Sequence, residues 1–281
     1  MLCTHQTAYR SQLISSTMAS LIIDTVESVR DLVEQIESVT QKPLIFIDLE
    51  GVDLSRDGVI AIMQILVPPN PVVQLIDVHT LGKEAFDTSG PGGQTLRGIL
   101  ESKDYPKVFF DVRNDSDAMY SHYQISLGGV IDLQLLEFAS RSQKGRFVKG
   151  LAKCISEDGS LGWTSFQKWQ KTKDEGQRLF APEKGGNYGV FLERPLSAAL
   201  QDYCAQDVLV MPKLLAVYGR RVPSHLAMQI NAETLARVVL SQSANFNGKG
   251  RHMAIGPSFA WNRYVSRILQ CPFLSRLLDK N

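Results

Sequence analysis

The stretch LIFIDLEGVDL, Leu44 to Leu54, decides how the rest of this chain is read. Leu44 to Ile47 is a run of large and β-branched apolar residues, the composition of a buried strand in an α/β sheet. Two acids, Asp48 and Glu50, close the run. Positions i and i+2 of a strand point to the same side, so both carboxylates are predicted to face one spot beyond the strand's end. Like charges in one place repel, and a site made only of oxygen donors is one that a hard divalent cation holds together.

Working outward, 281 residues at 44% hydrophobic content suffice for one large α/β domain with appendages. The net charge of +1 conceals an uneven distribution. Between Arg141 and Lys184 ten Lys/Arg stand against five Asp/Glu, and from Arg220 onward nine stand against two, so the acidic cluster lies in a net-acidic remainder beside basic segments. That layout suits a metal-dependent enzyme acting on a polyanion, although solvated helix faces give the same counts. The four cysteines, Cys3, Cys154, Cys204 and Cys271, form no CxxC pair, and no His stands at zinc-ligand spacing. The expectation is a reduced intracellular protein, cytoplasmic or nuclear, without structural zinc. No apolar run reaches membrane-spanning length, so no membrane partner is expected. The first 23 residues lack acids and faintly resemble a mitochondrial transit peptide; the reading taken is a disordered leader, with Met18 as an alternative start.

Ser28 to Val39 has helical apolar spacing and is predicted to precede the first strand as an amphipathic helix. VIAIMQILV (Val59 to Val67) and PVVQLIDV (Pro71 to Val78) complete a three-strand meander with IFIDLEG. A helix over Thr95 to Ser102, a fourth strand in KVFFDV (Lys107 to Val112), a helix through DSDAMYSHY, a short fifth strand in GGVIDL and a helix from Leu133 follow. The polar segment from Lys144 to Arg194 interleaves Trp163 and Trp169 with Lys168, Lys171 and Lys173. Its GGNYG, like SGPGG earlier, lacks the spacing of a phosphate-cradling loop. Pro195 is predicted to open a long helix running to Tyr218. The boundaries drawn are a leader over 1–23, an α/β domain over 24–220 and a C-terminal extension over 221–281.

Two further acids bear on the chemistry. Asp117 lies in the helix after the fourth strand and Asp207 in the last core helix, where Tyr203 stands at i−4 and shares its face. A carboxylate that ligates a metal and a phenol that holds a water divide the labour. Asp48, Glu50, Asp117 and Asp207 together suit two divalent ions, the arrangement that clamps the attacking and leaving oxygens of a phosphodiester. Carboxylate oxygens favour magnesium or manganese over zinc. Asp115 competes with Asp117; counting back from SDAMYSHY favours Asp117 and leaves Asp115 as a helix cap. Asp132, ending VIDLQ, reads as an N-cap or as a support of the site.

Acid-x-acid on the first strand (DLE), an Asp in the helix after the fourth strand, and Tyr-x-x-x-Asp on a late helix together resemble the Tyr variant of the DEDD 3′–5′ exonucleases. That family includes ribonuclease D and Werner-type exonuclease domains, and the likeness is strongest to its smaller Egalitarian-like exonuclease-domain proteins. The similarity runs from Leu44 to Tyr218, with further likeness in LSQSANFNGKGRHMAIGP. It implies a ribonuclease H-like fold, a mixed five-stranded sheet with its first three strands antiparallel, flanked by helices. It also implies two Mg2+ or Mn2+ ions: Asp48 would bridge both, Glu50 and Asp207 would complete one shell, and Asp117 would serve the other. Tyr203 would orient the nucleophilic water with Glu50. The His variant would need a His near position 202, which is Asp202 here.

The implied partner is nucleic acid, RNA or single-stranded DNA, shortened from its 3′ end to nucleoside monophosphates. Trp169 is a candidate for stacking on bases, and Lys249 and Arg251 of GKGRH are candidates for phosphate contact. A mini-core around the tryptophans and a basic turn that packs the tail are the plainer readings. A second function class is an adaptor of the same fold that binds nucleic acid without cutting it, alone or with a protein partner. The complete carboxylate set favours the enzyme.

Overall fold

The computed structural model describes residues 20–259 apart from residues 40, 143 and 144. It opens with an edge strand, β1 (Ser20–Ile23), and helix α1 (Val26–Glu37), whose buried Val29, Leu32, Val33 and Ile36 recur at helical spacing. A capping box between Thr25 and Ser28 satisfies the first turn of α1. β2 (Ile45–Val52), β3 (Val59–Leu66) and β4 (Val73–Asp77) form the antiparallel meander. Three short helices, α2 (Val78–Leu81), α3 (Glu84–Asp87) and α4 (Leu96–Glu101), lead to β5 (Lys107–Phe109). Then come α5 (Arg113–Tyr123), β6 (Val130–Asp132), α6 (Leu133–Ser140), α7 (Leu151–Asp158), α8 (Trp163–Phe180), α9 (Ala198–Arg221) and α10 (Ala227–Ser241). None of the described helices is long and apolar enough to cross a membrane.

The sheet order is β1-β4-β3-β2-β5-β6, with β5 parallel to β2, β6 parallel to β5 and β1 parallel to β4. It therefore has six strands, one more than the five expected. The added strand is Ser20–Ile23, which the sequence reading placed in a disordered leader. Four residues carry too weak a strand signal alone; the open edge of β4 supplies the register, Ser20 opposite Val73 through Ile23 opposite Ile76. The leader's earlier residues lie outside the described residues, as does the tail from 260.

β2 separates two apolar clusters. Ile45, Ile47 and Leu49 pack on the side of α1, α4 and α5, while Phe46 packs on the side of α9 with Ile62, Leu66 and Leu75. Asp48 and Glu50 alternate in phase with Phe46, so they point to the α9 side. α9 starts at Ala198, capped by the Ser197 side chain, and not at Pro195. It continues through Pro212 to Arg221. Within 221–259 the extension is integral to the packing: α10 lies against α5, α6 and β6, with Ile230, Thr234, Arg237, Val238 and Ser241 buried.

Candidate active site

Asp48 and Glu50 lie inside β2, opposite Gln64 and Ile62 of β3, and not beyond the strand's end as the apolar run implied. Two local features keep their surroundings open. β5 pairs with β2 only at Ile45 and Phe46, after which the chain turns through Asp111, at φ +62°, into α5. Just after Glu50 a bulge shifts the register with β3. At Gly51 a Cβ would stand 1.9 Å from the Val59 carbonyl oxygen, so the bulge admits only glycine.

α9 carries Tyr203 and Asp207 on one face, as their spacing predicted. The Asp207 carboxylate is held from α8. Its Oδ1 accepts the Trp169 indole N–H at 3.0 Å, and its Oδ2 accepts Lys173 Nζ at 2.6 Å. The Tyr203 hydroxyl faces the Glu50 carboxyl and favours its charged form. Its ring meets the edge of Phe180 at 4.9 Å and lies directly on Gly176.

The electrostatics group the acids that feel one another's charge. Burial first, and the charge of Asp207 second, push the Asp48 carboxyl up to about 7. Burial, then Asp48 and Asp207, raise Glu50; Lys173 and the Tyr203 hydrogen bond oppose that rise. Asp115 is raised well above the usual range by burial, then by Asp48, Asp111, Glu50 and Asp132. The Tyr203 phenol is raised too, by burial and by Glu50, so it keeps its proton.

Asp115 therefore faces the acids of β2, and Asp117 does not. Asp117 is 2% exposed and bound to Arg56 of the β2–β3 loop: Oδ2 accepts the backbone N–H at 2.8 Å and Oδ1 accepts Nε at 2.8 Å. This corrects the placement of Asp117 in the acidic centre. The reason lies in helix phase. α5 starts at Arg113 after Val112, with no side-chain cap, so Asp115 is not the capping residue. Residues two apart on a helix point about 200° apart, so only one of the two carboxylates can face the sheet.

Asp132 caps α6, accepting Gln134 N–H at 3.0 Å, and also receives Arg237 at 2.8 Å. Trp169 is 8% exposed and engaged with Asp207, with its ring against Phe166, so it does not present an open face for a base. Trp163 of the same helix is 77% exposed. Lys249 lies 3.5 Å from Asp53 at the end of β2, and Gly248 beside it packs on Asn114, the neighbour of Asp115; Arg251 is exposed on the following 3-10 turn. The GKGRH loop thus borders the acidic centre. Arg56 escaped the sequence reading, and Lys173 was noted only as one of the lysines beside the tryptophans, with no link to Asp207. Lys173 stands four residues after Trp169, the spacing of one helix face, but no element had been assigned to that polar segment.

The chemistry of the donor set suits a divalent cation. Among the described residues no ion pair neutralises Asp48, Glu50 or Asp115, and the donors are all carboxylate oxygens. Opposite Asp48, the fully buried Gln64 leaves both polar atoms of its amide without a partner. Among the described residues, no three His, Cys, Asp or Glu side chains stand close enough together to hold one ion between them.

A family model described as 3′–5′ exonuclease matches residues 22–217. Among solved structures, ribonuclease D of Trypanosoma brucei in complex with GMP is 22% identical, over 84% of this chain and 69% of that one, with a TM-score of 0.68. The same enzyme with RNA U12 is 20% identical, over 96% and 82%, at 0.65. Escherichia coli ribonuclease D, described as an exoribonuclease involved in structured RNA processing, is 19% identical over 81% and 52%, at 0.51. These likenesses establish a shared fold. No curated protein sequence matches the chain.

Proposed function

The chain belongs to the 3′–5′ exonuclease family, and from that premise we propose that it removes nucleotides one at a time from the 3′ end of RNA or single-stranded DNA, with Asp48, Glu50, Asp115 and Asp207 holding two divalent cations. The observation that carries this reading is the meeting of Asp48, Glu50 and Asp115 from two elements with Tyr203 and Asp207 of a third. Bound magnesium or manganese would supply charge stabilisation at the attacking and leaving oxygens of the phosphodiester.

The chain's own groups do the rest. Glu50 accepts one proton of a water and the Tyr203 hydroxyl oxygen, whose own proton faces Glu50, accepts the other, so together they orient it for attack on the terminal phosphorus. The bond to the 3′ oxygen of the preceding nucleotide breaks, releasing a nucleoside monophosphate and a strand with a free 3′ hydroxyl. Trp169 fixes the rotamer of Asp207 from behind. Lys249 and Arg251, on the loop beside Asp115, meet the incoming phosphates. Trypanosoma brucei ribonuclease D has been solved with RNA U12, which favours RNA as the first substrate to try.

A second reading is an adaptor that binds the strand without cutting it; the Lys173 ammonium on Asp207 is the observation in its favour. A gel time course with 5′-labelled RNA and DNA of one sequence, in manganese, magnesium or EDTA, separates the two. The expected result is a metal-dependent ladder shortening from the 3′ end. Retained binding with no cleavage in any metal would replace the enzyme by the adaptor.

A further inference from the structure

One contact in the acidic centre has no part in the hydrolysis proposed above. Asp207 is gripped at both oxygens, and one grip, Trp169 Nε1 on Oδ1, comes from a neutral donor that leaves the carboxylate's charge intact. The other is the Lys173 ammonium, 2.6 Å from Oδ2. That ammonium lies over the Trp169 ring at 5.2 Å and the Tyr203 ring at 5.7 Å. Its charge is felt at Asp48 and Glu50, where it lowers the pKa of both. Lys173 thus stands among the carboxylates that the proposed function assigns to divalent cations.

We infer that Lys173 is a resident counter-ion, which holds Asp207 while the centre is free of metal and gives that carboxylate up when a divalent cation binds. This rests on the metal-dependent reading above. An ammonium and a dication on one carboxylate repel each other, and the closer and doubly charged ion wins. Lysine suits the exchange because its charge rides on a flexible four-carbon stem and carries no bidentate fork to hold it. The side chain is 17% exposed, and the Trp169 and Tyr203 faces offer a weaker resting place beside the centre. A plain salt bridge that docks α8 on α9 would behave differently, since it would matter equally with and without metal.

The test pairs Mn2+ titration calorimetry with melting curves of the parent, Lys173→Met and Lys173→Arg, each in EDTA and in saturating Mn2+. The expectation for Lys173→Met is a lower melting temperature than the parent in EDTA, an equal one in Mn2+, and Mn2+ binding tighter by on the order of tenfold. Lys173→Arg, whose fork holds Asp207 at two points, is expected to bind Mn2+ more weakly than the parent. Equal destabilisation of Lys173→Met in both conditions with unchanged Mn2+ affinity would overturn the inference and leave a docking contact. Weaker Mn2+ binding by Lys173→Met would overturn it as well, by making Lys173 a helper of metal binding. A parent that binds no Mn2+ would remove the metal site itself and the inference with it, an outcome distinct from the other two.

Discussion

Asp115 and Asp117 are two residues apart and meet opposite surroundings, so replacing each with Asn separates chemistry from stability. Asp115→Asn removes a buried carboxyl whose charged form burial, Asp48 and Glu50 disfavour; turnover is expected to fall at least a hundredfold, roughly the cost of a missing metal ligand, while the metal-free melting temperature holds or rises. Asp117→Asn leaves Arg56 short of its partner and is expected to cost about 1–3 kcal/mol in urea unfolding, below a fully buried pair because Arg56 is 23% exposed, with turnover of the folded enzyme largely kept. The opposite pattern would return Asp117 to the centre. Asp48 carries a pH prediction. Its folded pKa of about 7 lies above the unfolded value near 4, so across that interval the folded chain keeps a proton that the unfolded chain has lost. Metal-free stability from this group therefore falls as pH rises from about 4 to about 7 and is flat above. Asp48→Asn, measured in EDTA, should gain on the parent at pH 8 relative to pH 5; no pH dependence in the difference would refute the shift. The acids themselves were legible in DLE and in Tyr-x-x-x-Asp because spacing alone fixes their face. The choice between Asp115 and Asp117 was not, because it depends on where α5 begins, and that is set by the turn at Asp111.

Among the elements, the strands were readable because each is a run of β-branched and large apolar residues bounded by Pro, Asn or Gly, and α1 and α9 because their period is clear. β1 was not, since its four residues become a strand only against the edge of β4. α8 was hidden for another reason. Its buried residues are only Trp169, Gly176 and Phe180, an apolar stripe too sparse to announce a helix amid lysines and glutamines. Yet this helix supplies both grips on Asp207, and its closeness to α9 depends on Gly176. A Cβ there would come within 2.5 Å of the Tyr203 ring. Glycine to alanine inside a helix ordinarily stabilises by about 1 kcal/mol. At Gly176 the sign is expected to reverse, to a loss of about 1–3 kcal/mol, because the ring must move or the helices must part. Since Tyr203 shifts with it, Gly176→Ala should lower kcat more than it raises KM. A variant as stable and as fast as the parent would mean that α8 is not seated on the catalytic tyrosine.

At the level of the whole molecule, the boundary drawn at residue 220 divides by sequence what packing joins. Arg56, from the β2–β3 loop, donates to the carbonyls of Ser241, Ser243 and Ala244 at 3.0, 2.8 and 3.0 Å. Arg237 of α10 reaches Asp132 at 2.8 Å and Gln134 at 3.0 Å, and Arg113 donates to the Met253 carbonyl at 2.7 Å. The extension therefore closes the back of the acidic centre, where Asp111 and Asp132 add to the charge felt by Asp115. A basic count in the sequence could not show this, because the same arginines on a solvated tail would give the same count. Arg237 and Asp132 are 4% and 0% exposed, so removing one partner strands a charge in the interior. Arg237→Met is expected to cost about 3–5 kcal/mol, the range for a broken buried pair. The backbone N–H groups of Asp111 and Gln134, which still donate to Asp132 at 3.1 and 3.0 Å, place the loss toward the lower end. Losing that neighbouring positive charge should also push the Asp115 carboxyl higher and move the pH at which turnover begins upward. The paired control is Arg237→Met with Asp132→Asn, which removes the stranded charge; it should recover much of the stability and return the pH onset toward the parent's. If the single variant unfolds in urea like the parent, the segment after 220 is an appendage after all, and the centre stands without it.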